Sequence, residues 1–436
     1  MKFTFEKILF CSAVISIPFD IVFHVGIVRL TTTEILFSLA MLFWCVQCFM
    51  QRREIILTPS IIPMLVFVGA CLLSGAYASQ KIVVVRETVQ FLWMFCLFIF
   101  LINQSYDKEM FGVIVSLLMI AGVVVSLFGV YQYFIVREPV DFLISQSRLR
   151  AFGFYDQPNT LGNFLAGIIP LGIGFHVISL SKCNDKNVSQ YFSWGNSTIL
   201  LTVLFILSFA LVVTFSRGSW AGLFFGMVCF CLAMRKYLRF ASLQMPLLFA
   251  MIAIVIAVVD ISSQDDTINR SFSNRQRILL AGTAIAMFRD HPITGVGSGN
   301  FQYCLPEYST AELDTMLRQS YDEVRKTWYF DPGKKPDTEL AHNVVLQVAA
   351  ETGAVGIISF CLLFGVFFLQ AWQQLKDSTM ETEGIIRSTC LTSVVALLGA
   401  GMFGWPFSHG IQELLMVTMA FSTSSKMQGK SCVEII

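Results

Sequence analysis

The sequence is poor in charge. Only 14% of its 436 residues are Asp, Glu, Lys or Arg, whereas soluble domains average about 25%. Hydrophobic residues make up 55% of the chain, and the mean hydropathy is +0.68. The net charge of +1 and the lack of a basic run give no reason to expect nucleic acid as a partner. Together these values predict an integral membrane protein whose surroundings are the lipid bilayer.

Motifs for metal or nucleotide chemistry are also lacking. The five His show no His-x-x-x-His spacing and no paired carboxylate cluster with ligand spacing, so we expect no metal site. The segment Gly295–Gly299 lacks both a preceding strand and the Lys of a phosphate-binding loop. Among the twelve Cys, only Cys304 lies in a long polar stretch, which excludes a disulfide framework there. Any catalysis would then depend on cations and a base, with no cofactor.

Long apolar runs are what the sequence does contain. A run of about 20 residues is long enough to cross a bilayer as a helix. Twelve such runs lie at 8–27, 34–50, 60–78, 84–102, 110–134, 159–180, 197–214, 218–234, 243–260, 354–373, 387–403 and 410–423. The predicted fold class is therefore all-α, a polytopic membrane helical bundle of about 12 transmembrane helices. We interpret the first run as an uncleaved helix.

The spans divide the chain into three regions. An N-terminal transmembrane region of about nine spans covers 1–260, a large loop covers 261–353, and a C-terminal transmembrane region with a short tail covers 354–436. Lys and Arg are about twice as frequent in the short segments on one side of the membrane as on the other. Cytoplasmic loops carry this excess. The bias predicts that both termini lie inside and that the large loop between spans 9 and 10 lies outside.

Candidate chemical groups gather on the predicted outer side. Arg217 stands in a Gly-containing hairpin between two spans, where an interfacial cation either binds a ligand or extends to lipid headgroups. His342 ends the long polar interval, on a helix predicted to begin near a Thr338 cap. It is either a general base or a hydrogen-bonded helix-start His. His291 precedes Pro292 and is typical of a helix end.

Several fragments resemble the O-antigen ligase and polymerase superfamily, in the order expected for it. The fragments are Arg150-Ala151-Phe152-Gly153 leading to Pro158-Asn159, Ser216-Arg217-Gly218, Arg277 ahead of His291-Pro292, and His342-Asn343 followed by Gly353 and Gly356. They cover about residues 148–360. The last fragment resembles the ligase pattern most.

The resemblance implies a membrane glycosyltransferase of the bacterial inner membrane, with its active site facing the periplasm. The donor would be an undecaprenyl-diphosphate-linked glycan and the acceptor lipid A–core or another glycan. His342 would be the catalytic base, and Arg217, Arg277 and Arg150 would bind the diphosphate. Asn343 and Asn159 are secondary candidates. The reaction would be a metal-independent, inverting displacement.

Three other functions stay open at this point. A polymerase would extend another lipid-linked repeat, and a protein O-oligosaccharyltransferase would use a protein hydroxyl. A polysaccharide transporter or flippase is the alternative from a different class. It would be expected to carry ionisable residues inside its spans. Most of the spans here lack charge at their centres.

Overall fold

The computed structural model describes residues 5–19, 21–25, 28–104, 108–139, 142–145, 148–180, 197–234, 267–316, 340–378, 381–408 and 410–424. These residues are mostly helical, as predicted. The helices are α1 (Phe5–Ser16), α2 (Thr32–Gln51), α3 (Ile61–Ser74), α4 (Lys81–Asn103), α5 (Lys108–Ile135), α6 (Pro158–Leu180), α7 (Ser197–Val213), α8 (Arg217–Ala233), α9 (Thr267–Asp290), α10 (Phe301–Tyr308), α11 (Val344–Lys376), α12 (Glu381–Gly401) and α13 (Ile411–Thr423).

Two short antiparallel hairpins interrupt the helices. Strand β1 (Val22–Val25) pairs with β2 (Val28–Thr31), and β3 (Leu143–Ser145) pairs with β4 (Arg148–Leu149). Strand β1 lies inside the last part of the predicted span 8–27 and β2 follows it, so that prediction is wrong in extent. Helix α1 ends at Ser16, just ahead of Pro18. Apolar β-branched residues satisfy a hydropathy window equally well as strand or as helix.

Six described helices are long and apolar enough to cross a membrane: α2, α4, α5, α6, α11 and α12. Helices α3, α7 and α8 are apolar but shorter. The predicted ninth span, 243–260, lies outside the described residues. The chain is thus a polytopic helical membrane protein.

Helix α12 is the central contact of the bundle and packs along α8 through small residues. A Cβ on Gly218 would lie 2.7 Å from Phe403 Cβ, and one on Gly226 would lie 2.8 Å from the Thr392 carbonyl oxygen. Gly222 faces the backbone of Ala396 and Ala400 between them. The two helices therefore run antiparallel. The end of α12 near Phe403 lies beside the start of α8.

The interval between the two transmembrane regions has a small apolar core of its own. Helix α9 buries Leu280, Ala284 and Met287, which recur on one helix face. They pack with Phe301 of α10 and Ala350 of α11 in a cluster separate from the main core of the bundle. This packing holds α9 against the first turns of α11.

Candidate active site

The hairpin between α7 and α8 presents Arg217 at the first position of a helix. Thr214 is buried, and its hydroxyl donates to the Leu211 carbonyl at 2.7 Å. Ser219 Oγ donates to Asn163 Oδ1 of α6 at 2.7 Å and lies 2.7 Å from Ser216 Oγ. These buried bonds fix the turn, while the Arg217 side chain is exposed. Its Nη2 donates to Asn274 Oδ1 of α9 at 2.9 Å.

Arg150 braces the same hairpin from the segment that leads into α6. Its Nε donates to the Thr214 carbonyl and its Nη2 to Asn159 Oδ1, both at 2.9 Å. Burial, and then the charges of Arg277 and Arg217, lower the pKa of Arg150 to about 10. The group is still protonated at neutral pH. Two of its three nitrogens are thus engaged with the protein.

Arg277 lies on α9, one turn beyond Asn274. Burial lowers its pKa, and the positive charge of Arg217 lowers it further. Helix α9 ends at Asp290, and Pro292 and Gly295 follow in a turn, as the sequence predicts for the helix end at His291.

His342 lies in the turn that precedes α11, which corrects the prediction that it lies on a helix. The helix begins at Val344 and its cap is Asn343, whose Oδ1 accepts from the backbone N–H groups of Val345 and Leu346. The predicted cap, Thr338, lies outside the described residues. His342 itself adopts a left-handed φ of 51°. Side chains rarely occupy this region without tertiary support.

Asn343 also ties this turn to the end of α12. Its Nδ2 donates to the Met402 carbonyl at 3.0 Å. Phe403, the next residue, is the one that Gly218 contacts beside Arg217. Met402 and Phe403 therefore serve as a shared anchor for the His342 turn and the Arg217 hairpin.

Two glycines dock α9 on α11. Gly295 and Gly353 both have positive φ, 69° and 64°. A Cβ on Gly295 would overlap the backbone of Glu351, and a Cβ on Gly353 would overlap the backbone of Ile293. Around them, Val296 N–H donates to the Ala350 carbonyl at 3.0 Å and Gly297 N–H to the Glu351 carbonyl at 2.9 Å. Only glycine permits this approach, so the pair fixes Arg277 relative to His342.

The four residues singled out by the sequence are therefore close together. Arg277 lies near enough to His342 that its charge, after burial, lowers the pKa of that imidazole to about 4. His342 is consequently neutral at pH 7. In the part of the chain that the structure describes, none of Arg150, Arg217 and Arg277 forms an ion pair with a carboxylate. The site is a group of uncompensated guanidinium groups beside a neutral imidazole.

The remaining His take no part in this arrangement. His291 lies at the end of α9 with its ring 5.5 Å from that of Tyr77. His176 is buried within α6. His409 lies outside the described residues, as does the His24 side chain. Among described residues, no three His, Cys, Asp or Glu side chains group as metal ligands.

Several residues of the site were missed from the sequence. Asn274 holds Arg217, Asn163 holds the hairpin through Ser219, and the Met402 carbonyl holds Asn343. Asn274 lies three residues before Arg277, on the same helix face, and that spacing was a usable signal. The other contacts join segments more than 50 residues apart, where no local pattern exists.

The fold and the site define a polytopic membrane protein with a cluster of arginines beside a histidine at one end of its helices. Residues 202–361 match the family model described as O-antigen ligase, Wzy_C, which confirms the resemblance to the O-antigen ligase and polymerase superfamily. The match contains Arg217, Arg277 and His342, whereas Arg150 and Asn159 precede it. No curated protein matches the chain.

Proposed function

We propose that this protein is a glycosyltransferase that moves a glycan from undecaprenyl diphosphate to an acceptor hydroxyl, with lipid A–core as the favoured acceptor. The observation that supports this most is the gathering of Arg150, Arg217 and Arg277 near His342 without a carboxylate partner among the described residues. An uncompensated cluster of this kind is suited to a dianionic leaving group.

The arginines act on the diphosphate. As the glycosidic C–O bond breaks, the electron pair goes to the leaving phosphate oxygen and negative charge grows there. The guanidinium groups of Arg217 and Arg277 are forked and permanently charged, and they donate hydrogen bonds to such oxygens. Arg217 is exposed, with one nitrogen of its guanidinium engaged by Asn274. Arg150, which bonds two protein oxygens, contributes charge and holds the hairpin.

His342 acts on the acceptor. A neutral imidazole accepts the proton of the attacking hydroxyl while its oxygen bonds to the anomeric carbon. One displacement then inverts that carbon and releases undecaprenyl diphosphate. Because the donor is already activated, no nucleotide is needed.

The site faces the periplasm in this proposal. The excess of Lys and Arg in the opposite short segments supports that orientation in the inner membrane. The ligase-like His342-Asn343 pattern favours lipid A–core over a second lipid-linked repeat. The acceptor used by the purified protein decides between ligase and polymerase.

The test is transfer by purified His342→Gln protein in lipid nanodiscs. Removing a positioned base costs about 10²–10⁴-fold in rate. We expect that loss in kcat with donor binding retained, because the arginines remain. His291→Gln is the matched control, since His291 lies at a helix end outside the cluster.

Two acceptors are offered in parallel, lipid A–core and a second lipid-linked glycan. Transfer to the first supports the ligase and transfer only to the second supports the polymerase. Near wild-type turnover by His342→Gln contradicts the assignment of the base. No transfer to either acceptor by the unaltered protein contradicts the proposed function.

A further inference from the structure

We infer that Gln347 and Glu351 are positioning residues that hold the His342 turn in its reactive conformation. This inference depends on the proposed function, because it concerns the same base. Neither side chain belongs to the fragments that carry the family resemblance. Both lie on α11, one and two turns beyond the turn they would hold.

The backbone bond at Ala341 is the first link. Gln347 Oε1 accepts the N–H of Ala341, the residue before His342, at 2.7 Å. The same residue closes the turn from the other side, since its own N–H donates to the Asn343 carbonyl at 2.9 Å. Gln347 thus bonds both flanks of His342. A non-glycine residue in the left-handed region is strained, and these bonds provide support for it.

Glu351 orients the Gln347 amide. Gln347 Nε2 donates to Glu351 Oε1 at 2.7 Å. The backbone N–H of Phe301, at the start of α10, donates to the same oxygen at 3.3 Å. An N–H group such as that of Ala341 only donates, and a carboxylate only accepts, so the two partners leave one orientation for the amide. The bonds therefore run from α10 through Glu351 and Gln347 to the His342 turn.

Burial makes the chain of bonds hard to replace. Gln347 is 1% exposed and Glu351 6% exposed. Water has little access to either group, so a broken bond leaves an unsatisfied polar group. The turn would then relax, and the imidazole would shift away from the acceptor. A displacement of about 1 Å at a reacting group can cost about 100-fold in rate.

The decisive variants exchange the two side chains. Gln347→Glu alone sets two carboxylates against each other, and Glu351→Gln alone replaces an acceptor with a group that also donates. In the double exchange, the residue-347 carboxylate accepts from Ala341 N–H and from the new amide, whose oxygen accepts from Phe301 N–H. The bonds to Ala341 and Phe301 and the bond between the two side chains are restored with the order of the groups reversed, and only the bond that Glu351 accepts from the Gly299 N–H is not replaced.

We expect each single variant to lower kcat about 10–100-fold with the donor KM unchanged, and the double variant to recover most of kcat. Ser359→Ala is the matched control on the same helix. Ser359 is 1% exposed and its hydroxyl donates only to the Gly356 carbonyl of its own helix. That variant should retain the wild-type kcat.

A second readout separates positioning from a loss of fold. A loss of fold lowers the amount of folded protein recovered by size-exclusion chromatography, whereas a loosened turn lowers the kcat of the protein that is folded, so kcat is measured per folded molecule. The inference is overturned if Gln347→Glu and Glu351→Gln each keep the wild-type kcat while His342→Gln is inactive. That result leaves the proposed function standing. A raised donor KM at unchanged kcat, or no recovery in the double variant, also overturns the inference.

Discussion

The two ends of helix α12 adjoin arginines in opposite ways. At its first turns, Arg387 is 1% exposed and donates from Nε and Nη2 to Glu383 Oε1, at 3.0 and 2.8 Å. Its other bonds reach the carbonyls of Ser422 and Ser424 at the end of α13. At the opposite end of α12, Gly218 lies against Phe403, and the side chain of the preceding Arg217 donates to the neutral Asn274, with no carboxylate partner among the described residues.

The difference separates a structural arginine from a binding one. Arg387 has a buried counter-ion and closes the end of a neighbouring helix, so most of its N–H groups already donate to protein oxygens. Burial lowers the pKa values of Arg150 and Arg277, and the charges of neighbouring arginines in the cluster lower them further. A folded protein tolerates such repulsion where a ligand relieves it. In the proposed function, the diphosphate of the donor supplies the negative charge that no described carboxylate gives to the cluster.

The first prediction from this comparison is that replacing Arg387 lowers the stability of the folded protein. Arg387→Met leaves Glu383, 2% exposed, as an unpaired buried charge. Breaking a buried pair in this way costs about 3–5 kcal/mol. We expect a large fall in the thermal midpoint of the detergent-solubilised protein, with activity per folded molecule unchanged.

The control for Arg387 is the double variant Arg387→Met/Glu383→Leu, which removes both charges. It should recover most of the lost stability, because an apolar replacement of an ion pair is often neutral. A stable single variant that is inactive would reverse the comparison and assign Arg387 a role in binding.

Arg217→Lys and Arg277→Lys should have the opposite phenotype. Lys keeps the charge but loses the forked donors that match a diphosphate. Removing one transition-state hydrogen-bond donor costs about 10²–10³-fold in kcat. Transfer assays with the lipid-linked donor, alongside thermal midpoints, check this expectation. Wild-type turnover by both variants would contradict the diphosphate assignment.

The sequence predicted which residues lie close together better than it predicted the extents of the spans. Arg217 and His342 were found because each interrupts apolar sequence with an ionisable group. The conformation of His342 was not predictable, because the Gln347 and Met402 contacts that set it depend on tertiary packing. The span predicted at 387–403 was wrong at its start, since α12 begins at Glu381 and buries Arg387.

The lack of a counter-ion at the cluster also predicts a pH profile. Burial and the charge of Arg277 lower the pKa of His342 from its usual 6.5 to about 4. The imidazole therefore stays neutral, and able to accept a proton, down to well below pH 6. For a His with the ordinary pKa of 6.5, the neutral fraction would fall about thirtyfold by pH 5.

We expect kcat/KM, which reports on the free enzyme, to remain nearly constant from pH 7 to pH 5. Protein stability measured at each pH is the control. A fall in kcat/KM centred near pH 6.5 would mean that His342 has a nearby carboxylate or is freely hydrated. The site would then differ less from the carboxylate-paired Arg387.

The smallest effect is expected at Arg150, which shares features of both ends. Like Arg387 it bonds protein oxygens, the Thr214 carbonyl and Asn159 Oδ1, and like Arg217 it has no carboxylate partner among the described residues. Arg150→Lys keeps a charge but loses at least one of these bonds, each worth about 1.5–3 kcal/mol. Much of that loss falls on the hairpin, so we expect transfer to fall by only about tenfold.

Asn159→Ala removes the acceptor and leaves the guanidinium intact, so it should reproduce part of the effect. Steady-state kinetics of both variants test this, with the change expected in donor KM because the hairpin carries Arg217. If Arg150→Lys instead matches Arg217→Lys in kcat while Asn159→Ala is silent, Arg150 contacts the diphosphate directly and belongs with the binding arginines.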